Sequence, residues 1–174
     1  EASKQSMVQH EEVTMFDMDL TPHTPEAQPL ISGAGGGVYR YSEAGQLEIL
    51  LIKKQGGFWT LPKGRIKPGE DERTAVAREV AEETSISGEV GLMVRQVFYT
   101  IQKAGRRRRK TVTYYLLHAE AGRPHPQAKE RIVRVRWFPV SAALRRIRRK
   151  RIRNVVRAAR ALLNGNTAPN QPAP

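Results

Sequence analysis

The chain contains no cysteine, which excludes disulfides and thiolate metal sites and agrees with a reducing, cytoplasmic setting. It also lacks any run of the roughly 18 consecutive apolar residues that a bilayer-spanning helix requires, so no membrane role is expected. Its opening residues do not follow the basic-then-apolar pattern of a secretory signal, and no segment repeats another. The four histidines, His10, His23, His118 and His125, have no metal-ligand spacing and receive no role. Acids and bases are left to carry the chemistry.

At 174 residues and 39% hydrophobic composition, the chain fits one domain with its own core and spare length for tails. The formal net charge is +13, and it is unevenly placed. Residues 1–30 carry six acids (Glu1, Glu11, Glu12, Asp17, Asp19, Glu26) against Lys4 alone. The segment 103–110, KAGRRRRK, carries six positive charges, and 141–174 carries nine, neither with an acid. Two short segments therefore hold 15 of the 30 basic residues, a patterning that points to a polyanionic partner rather than to a fold.

Residues 1–31 read as a flexible acidic tail, since they have no sustained period and include TPHTPEAQP. The folded domain is expected over 32–163, followed by a disordered tail over 164–174. Within the domain, 37–41 reads as a strand. Residues 47–54, with Ile49, Leu50, Leu51 and Ile52 in succession, read as a strand buried on both faces. A helix with an acidic start is expected over 71–84. Strands are expected at about 89–102 and 111–119, joined by a basic tip at 103–110, and again at 132–140. Ser141 is the expected N-cap of a last helix reaching about Leu163. Its apolar stripe would be Leu144, Ile147, Val155, Ala158, Ala159 and Leu162, with Arg148 and Arg151 falling inside it. Strands interleaved with two helices imply an α/β fold, a mixed sheet covered by helices. Trp59 and Trp137 read as packing residues.

The chemically informative stretch is 64–86, GRIKPGEDERTAVAREVAEETSI. Glu79, Glu82 and Glu83 stand at i, i+3 and i+4, so a helix projects them from one face toward a common point. Crowded carboxylates repel unless a cation neutralises them, and hard oxygen donors suit Mg²⁺ or Mn²⁺. Ala77, Val80 and Ala81 are left to pack that helix on a sheet. Arg78, four residues before Glu82, is placed to hold it. Lys63 and Arg65 flank a glycine that lets backbone approach a ligand closely, and both are candidates for contact with phosphate oxygens.

This stretch resembles the Nudix box: Gly, five residues, Glu, seven residues, then Arg-Glu-apolar-any-Glu-Glu-any-Gly-apolar. The matching places are Gly64, Glu70, Arg78, Glu79, Val80, Glu82, Glu83 and Ile86; Ser85 stands where the family has glycine. That glycine ends a helix where positive φ is common, so serine implies a slightly strained turn and no lost ligand. The resemblance implies a Nudix-type α/β/α sandwich and a metal-dependent cut of a phosphoanhydride bond. It implies metal ligation by Glu79, Glu82, Glu83 and the Gly64 carbonyl. Glu79 or Glu83 would position or deprotonate the attacking water, and Glu70 would support the loop–helix junction. Some members add a carboxylate from beyond the box, for which Glu130 is the candidate.

The entry Trp59-Thr60-Leu61-Pro62-Lys63-Gly64 is similar to that of diadenosine polyphosphate hydrolases and of relatives that remove oxidised nucleoside triphosphates. Tyr99 is the candidate for stacking on a base, against the ordinary reading of strand aromatics such as Tyr99, Tyr114 and Tyr115 as core. An RNA 5′-pyrophosphohydrolase and a diphosphoinositol polyphosphate phosphatase remain alternatives, because both substrates are polyanions. A nucleic-acid-binding protein on the same scaffold is the alternative from another class. The basic clusters serve steering of polyphosphate, contact with RNA, or contact with the acidic N-terminal segment.

Overall fold

The first strand is longer than its glycines suggest. In the computed structural model, which describes residues 30–127 and 130–166, β1 spans Ile31–Tyr41 rather than 37–41. Gly33, Gly35 and Gly36 precede the expected strand, yet they belong to β1 and are bare for packing. A Cβ on Gly35 would lie 2.6 Å from Tyr114 Cε1 and 2.8 Å from Lys63 Cβ, so neighbouring strands close directly onto backbone. The expected tails lie outside the described residues over 1–29 and 167–174. Ile31 already belongs to β1, and the last helix reaches Asn166.

β2 (Leu47–Lys54) buries Ile49, Leu50, Leu51 and Ile52 completely, as a strand covered on both faces must. β3 (Trp59–Thr60), β4 (Lys63–Arg65), β5 (Ile86–Lys103), β6 (Arg106–Gly122) and β7 (Ile132–Pro139) complete a seven-stranded sheet. Its main order is β3-β2-β1-β6-β5, with β4 on β1 and β7 on β2. β1 runs parallel to β6 and antiparallel to β2, so the sheet is mixed.

Helix α1 (Glu72–Thr84) covers one face, packing Ala75, Val76 and Val80 on Ala34, Val38, Leu50, Ile86 and Leu117. α2 (Val140–Arg146) and α3 (Lys150–Asn166) cover the other, burying Ala143, Ile152, Val155 and Val156 against Ile49, Leu51, Val112 and Tyr114. This is the expected α/β/α sandwich. No helix among the described residues is long and apolar enough to cross a membrane.

Three expectations are corrected. The last helix is two helices: α2 has Pro139, not Ser141, at its N-cap, and the chain leaves helical geometry at Ile147. Arg153 Nη1 donates to the carbonyls of Ile147 and Arg148, both at 2.9 Å, so the break does not orphan them. The restart shifts the buried face to Ile152, Val155, Val156, Ala159 and Leu163, leaving Ala158 and Leu162 half-buried. The basic tip is also far shorter than 103–110. Only Ala104 and Gly105 turn, both with positive φ, and Arg106 already pairs with Lys103. Finally, Ala77 and Ala81 are exposed; the buried side of α1 contains Glu79 and Glu83 instead.

Candidate functional site

The register of β4 places the loop that precedes α1. Lys63, Gly64 and Arg65 pair with Gly35, Ala34 and Gly33 of β1, which sets this short strand alongside the C-terminal half of α1, where the Lys63 amide reaches Glu83 and Arg78 reaches the Arg65 carbonyl. Asp71 caps that helix, its carboxylate accepting from the Thr74 amide at 2.8 Å and from the Thr74 hydroxyl at 2.9 Å. At the other end Ser85 adopts φ 61°, ψ 22°, the left-handed conformation for which the motif position prefers glycine. Its amide donates to Ala81 O, and its hydroxyl accepts from Gln127 Nε2 at 3.0 Å.

Arg78 organises the acidic face. Its Nε and Nη2 donate to the two oxygens of Glu70 at 2.6 and 2.8 Å, a two-pronged pair. Its Nη1 donates to Glu79 Oε1 at 2.7 Å and to Glu82 Oε2 at 3.1 Å, and Nη2 also reaches the Arg65 carbonyl at 3.0 Å. The arginine expected to hold Glu82 therefore holds three carboxylates and the loop. Glu70 also accepts from the Lys67 amide at 3.0 Å. The Arg78 hydrogen bonds, and after them that amide, hold the Glu70 carboxyl down at about 2.

Glu79 and Glu82 thus share one guanidinium nitrogen, whereas Glu83 turns into the sheet. Glu83 is 2% exposed. Its Oε1 accepts from Lys54 Nζ at 2.5 Å and its Oε2 from the Lys63 amide at 2.9 Å. Burial pushes the Glu83 carboxyl up, and the Lys54 ammonium opposes that shift. Among the described residues no three acidic or histidine side chains converge as a ready metal cluster; Arg78 and Lys54 neutralise these carboxylates. The donor set still suits a hard divalent cation, with three carboxylates on adjacent turns and the Gly64 backbone against them. A Cβ at Gly64 would collide with the Glu79 carboxylate, so glycine is required for that approach.

Lys63 is half-buried, on the face of the sheet opposite α1 by strand alternation. Its ammonium sits within electrostatic range of Lys110, Glu83, Lys54 and Arg149, and burial, followed by Lys110, pushes it down to about 8. Arg65 lies on the same face two residues on. Glu130 offers its carbonyl to Lys54 Nζ at 3.4 Å, which puts it one residue removed from Glu83. Tyr99 packs against the α2–α3 core with the Arg151 guanidinium 4.3 Å from its ring centre, and Tyr114 is buried. Tyr115 instead donates to Glu72 at 2.6 Å on the α1 face.

Two contributors carry no sequence signal. Lys54 ends a hydrophobic strand and belongs to no motif, yet it is the ion-pair partner of Glu83. Arg149, between α2 and α3, has its guanidinium 4.2 Å from the Phe58 ring centre and within electrostatic range of Lys63.

Comparison with known proteins agrees with this geometry. The family model described as NUDIX domain matches residues 33–159. The chain is 39% identical over 82 residues to a putative mutator protein MutT4 of Mycobacterium tuberculosis, covering 47% of this chain and 33% of that protein. It is 35% identical over 89 residues to an asymmetrical bis(5′-nucleosyl)-tetraphosphatase of Caenorhabditis elegans, covering 50% of this chain and 64% of that one. Both matches span less than two thirds of the relative. A crystal structure of a C. elegans Ap4A hydrolase binary complex superposes with a TM-score of 0.65 at 27% identity, covering 78% of this chain and 98% of that chain.

Proposed function

The chain belongs to the Nudix family, and from that premise we propose that it is a divalent-metal-dependent hydrolase of phosphoanhydride bonds in nucleotide-type substrates. Dinucleoside polyphosphates and oxidised nucleoside triphosphates are the leading classes, and a cytoplasmic nucleotide pool is their source. The observation that carries the reading is the arrangement of Glu70, Glu79 and Glu82 around one arginine, beside a glycine whose bare Cα admits the Glu79 carboxylate. An acidic cluster on a solvated helix face has no need of such support. Two of these carboxylates lie 10% and 11% exposed.

Glu79, Glu82, Glu83 and the Gly64 carbonyl would hold Mg²⁺ or Mn²⁺, with Glu130 as a further carboxylate. Once bound, the cation neutralises phosphate charge and acidifies an attacking water. The chain's own residues supply the rest. Arg78 fixes the rotamers of Glu79 and Glu82, so their oxygens need little reorganisation when substrate arrives. Glu83, buried and pushed toward the proton-bound form, is the group suited to take a proton from water. The Lys54 ammonium opposes that shift. Lys63 and Arg65 extend from the same loop toward the phosphates, and Tyr99 offers a ring for a base.

Separate Glu82→Gln and Glu83→Gln variants are expected to lose at least about a hundredfold in kcat with Mg²⁺. Their melting temperatures should stay within a few degrees of the parent. A product-resolved screen over dinucleoside polyphosphates, nucleoside triphosphates, ADP-ribose and triphosphorylated RNA, with and without chelator, measures this. Full metal-dependent turnover in both variants sinks the proposal.

A further inference from the structure

Beyond the carboxylates, the chain holds a cavity of about 740 Å³ where β4 leaves β1 and the β5–β6 hairpin bends alongside. Three arginines, Arg65, Arg106 and Arg108, line it, and among the described residues no acid does. Leu30, Ile31 and Ile66 supply its apolar walls. Among the described residues, none of these three arginine side chains forms an ion pair or a hydrogen bond with a carboxylate. Three cations lining one cavity with no counter-charge among the described residues repel one another, and apolar walls strengthen their field. Such a cavity is built for an anion, and its volume lies in the range of small-molecule sites.

Its position relative to the acidic face narrows which anion. Arg65 follows Gly64 directly, and its carbonyl is held by Arg78, so one wall of the cavity is continuous with the hydrolytic loop. The opposite wall is β6. In the β1–β6 register Ile31 pairs with Lys110 and Gly35 with Tyr114, while Gly33 and Gly35 pair with Arg65 and Lys63 on the other side. Strand alternation puts Lys63, Arg65, Lys110, Arg108 and Arg106 on one face of the sheet. Two cationic rows therefore run outward along that face, one on each side of β1, and end in the cavity. Arg107 and Arg109 alternate to the opposite face and do not line it.

We propose that this cavity is a second anion subsite, which holds phosphates lying beyond the bond that is cut. The inference rests on the hydrolase reading above and deepens it. A substrate suited to both places carries a phosphate chain on each side of the scissile anhydride, with a second nucleoside against Leu30, Ile31 and Ile66. An extended polyphosphate of that kind is favoured over a mononucleotide whose phosphates end at the reacting centre.

Two double variants of equal charge separate the subsite from general electrostatic attraction: Arg106→Ala with Arg108→Ala, and Arg107→Ala with Arg109→Ala. Titration calorimetry of the full chain with inorganic tripolyphosphate, in chelator, reads the subsite without turnover. Loss of two charge-assisted contacts should weaken the dissociation constant at least about tenfold in the first variant. In the second it should shift less than about threefold. In steady state with Mg²⁺, the first variant should raise KM for diadenosine tetraphosphate about tenfold and KM for ATP less than about threefold. Equal behaviour of the two variants overturns the subsite, as does a loss confined to a 5′-triphosphorylated RNA oligonucleotide. If the parent hydrolyses none of these substrates, the hydrolase reading fails, and the tripolyphosphate titration still decides the cavity.

Discussion

Glu70 takes both arms of the Arg78 guanidinium, and the remaining arm serves Glu79 and Glu82. This makes the residue-level support of the site sensitive to acid in a defined direction. The Glu70 carboxyl is held at about 2 in the folded chain by the Arg78 hydrogen bonds and the Lys67 amide, below the ordinary glutamate range of about 4.3. A group depressed on folding contributes stability above its unfolded pKa and loses it as pH falls through the folded value. The contribution should therefore be complete above roughly pH 5 and fade toward pH 2. Glu70→Gln removes it, so the difference in urea midpoint between parent and variant should be constant near neutrality and shrink below pH 4. A difference that grows on acidification would contradict the assignment. The motif spacing foretold that Glu70 and Arg78 matter, since both stand at fixed places in the box. It did not foretell Lys54, whose role depends on β2 ending beside α1. Nor did it separate Glu83 from Glu79 and Glu82, because helical spacing gives a shared face but not where each carboxylate turns.

At the scale of elements, local pattern located β2 and α1 to within a residue, because four consecutive apolar residues and an acidic cap are local signals. It failed where long-range packing decides. The glycines at 33–36 give no strand signal until Tyr114 and Lys63 close over Gly35, and 103–110 reads as a hairpin tip until its residues pair across β5 and β6. The C-terminal region reads as one helix because 141–163 contains no proline or glycine to mark the break at 147–149. Arg153 explains how the chain sustains it. Its Nη1 holds the carbonyls of Ile147 and Arg148, which would otherwise face solvent or lie unsatisfied. Arg153→Ala should cost about 1 kcal/mol by chemical denaturation, the scale of a charge-assisted bond at a half-exposed position. It should also speed amide exchange at the start of α3 more than in α1. Equal protection in both helices would mean that apolar packing alone holds the turn.

Across the whole molecule, the net charge of +13 is concentrated at the β5–β6 tip and in the α2–α3 segment. Exposed charges separated by more than about 8 Å act on a substrate mainly before it binds, and salt screens that action at physiological ionic strength. Cations lining the cavity act at contact and are screened less. For a polyanionic substrate, kcat/KM should therefore fall at least about threefold between 50 and 300 mM salt, with kcat at saturation nearly unchanged. The outward-facing pair Arg107 and Arg109 belongs to the screened population, so removing it should flatten this salt dependence while leaving discrimination between long and short phosphate chains intact. Removing Arg106 and Arg108 should alter discrimination at every salt concentration. Stopped-flow or initial-rate measurements across that salt range, with both double variants, separate attraction at a distance from recognition in the cavity. A salt slope identical in parent and Arg107→Ala/Arg109→Ala would show that the outer arginines do no steering.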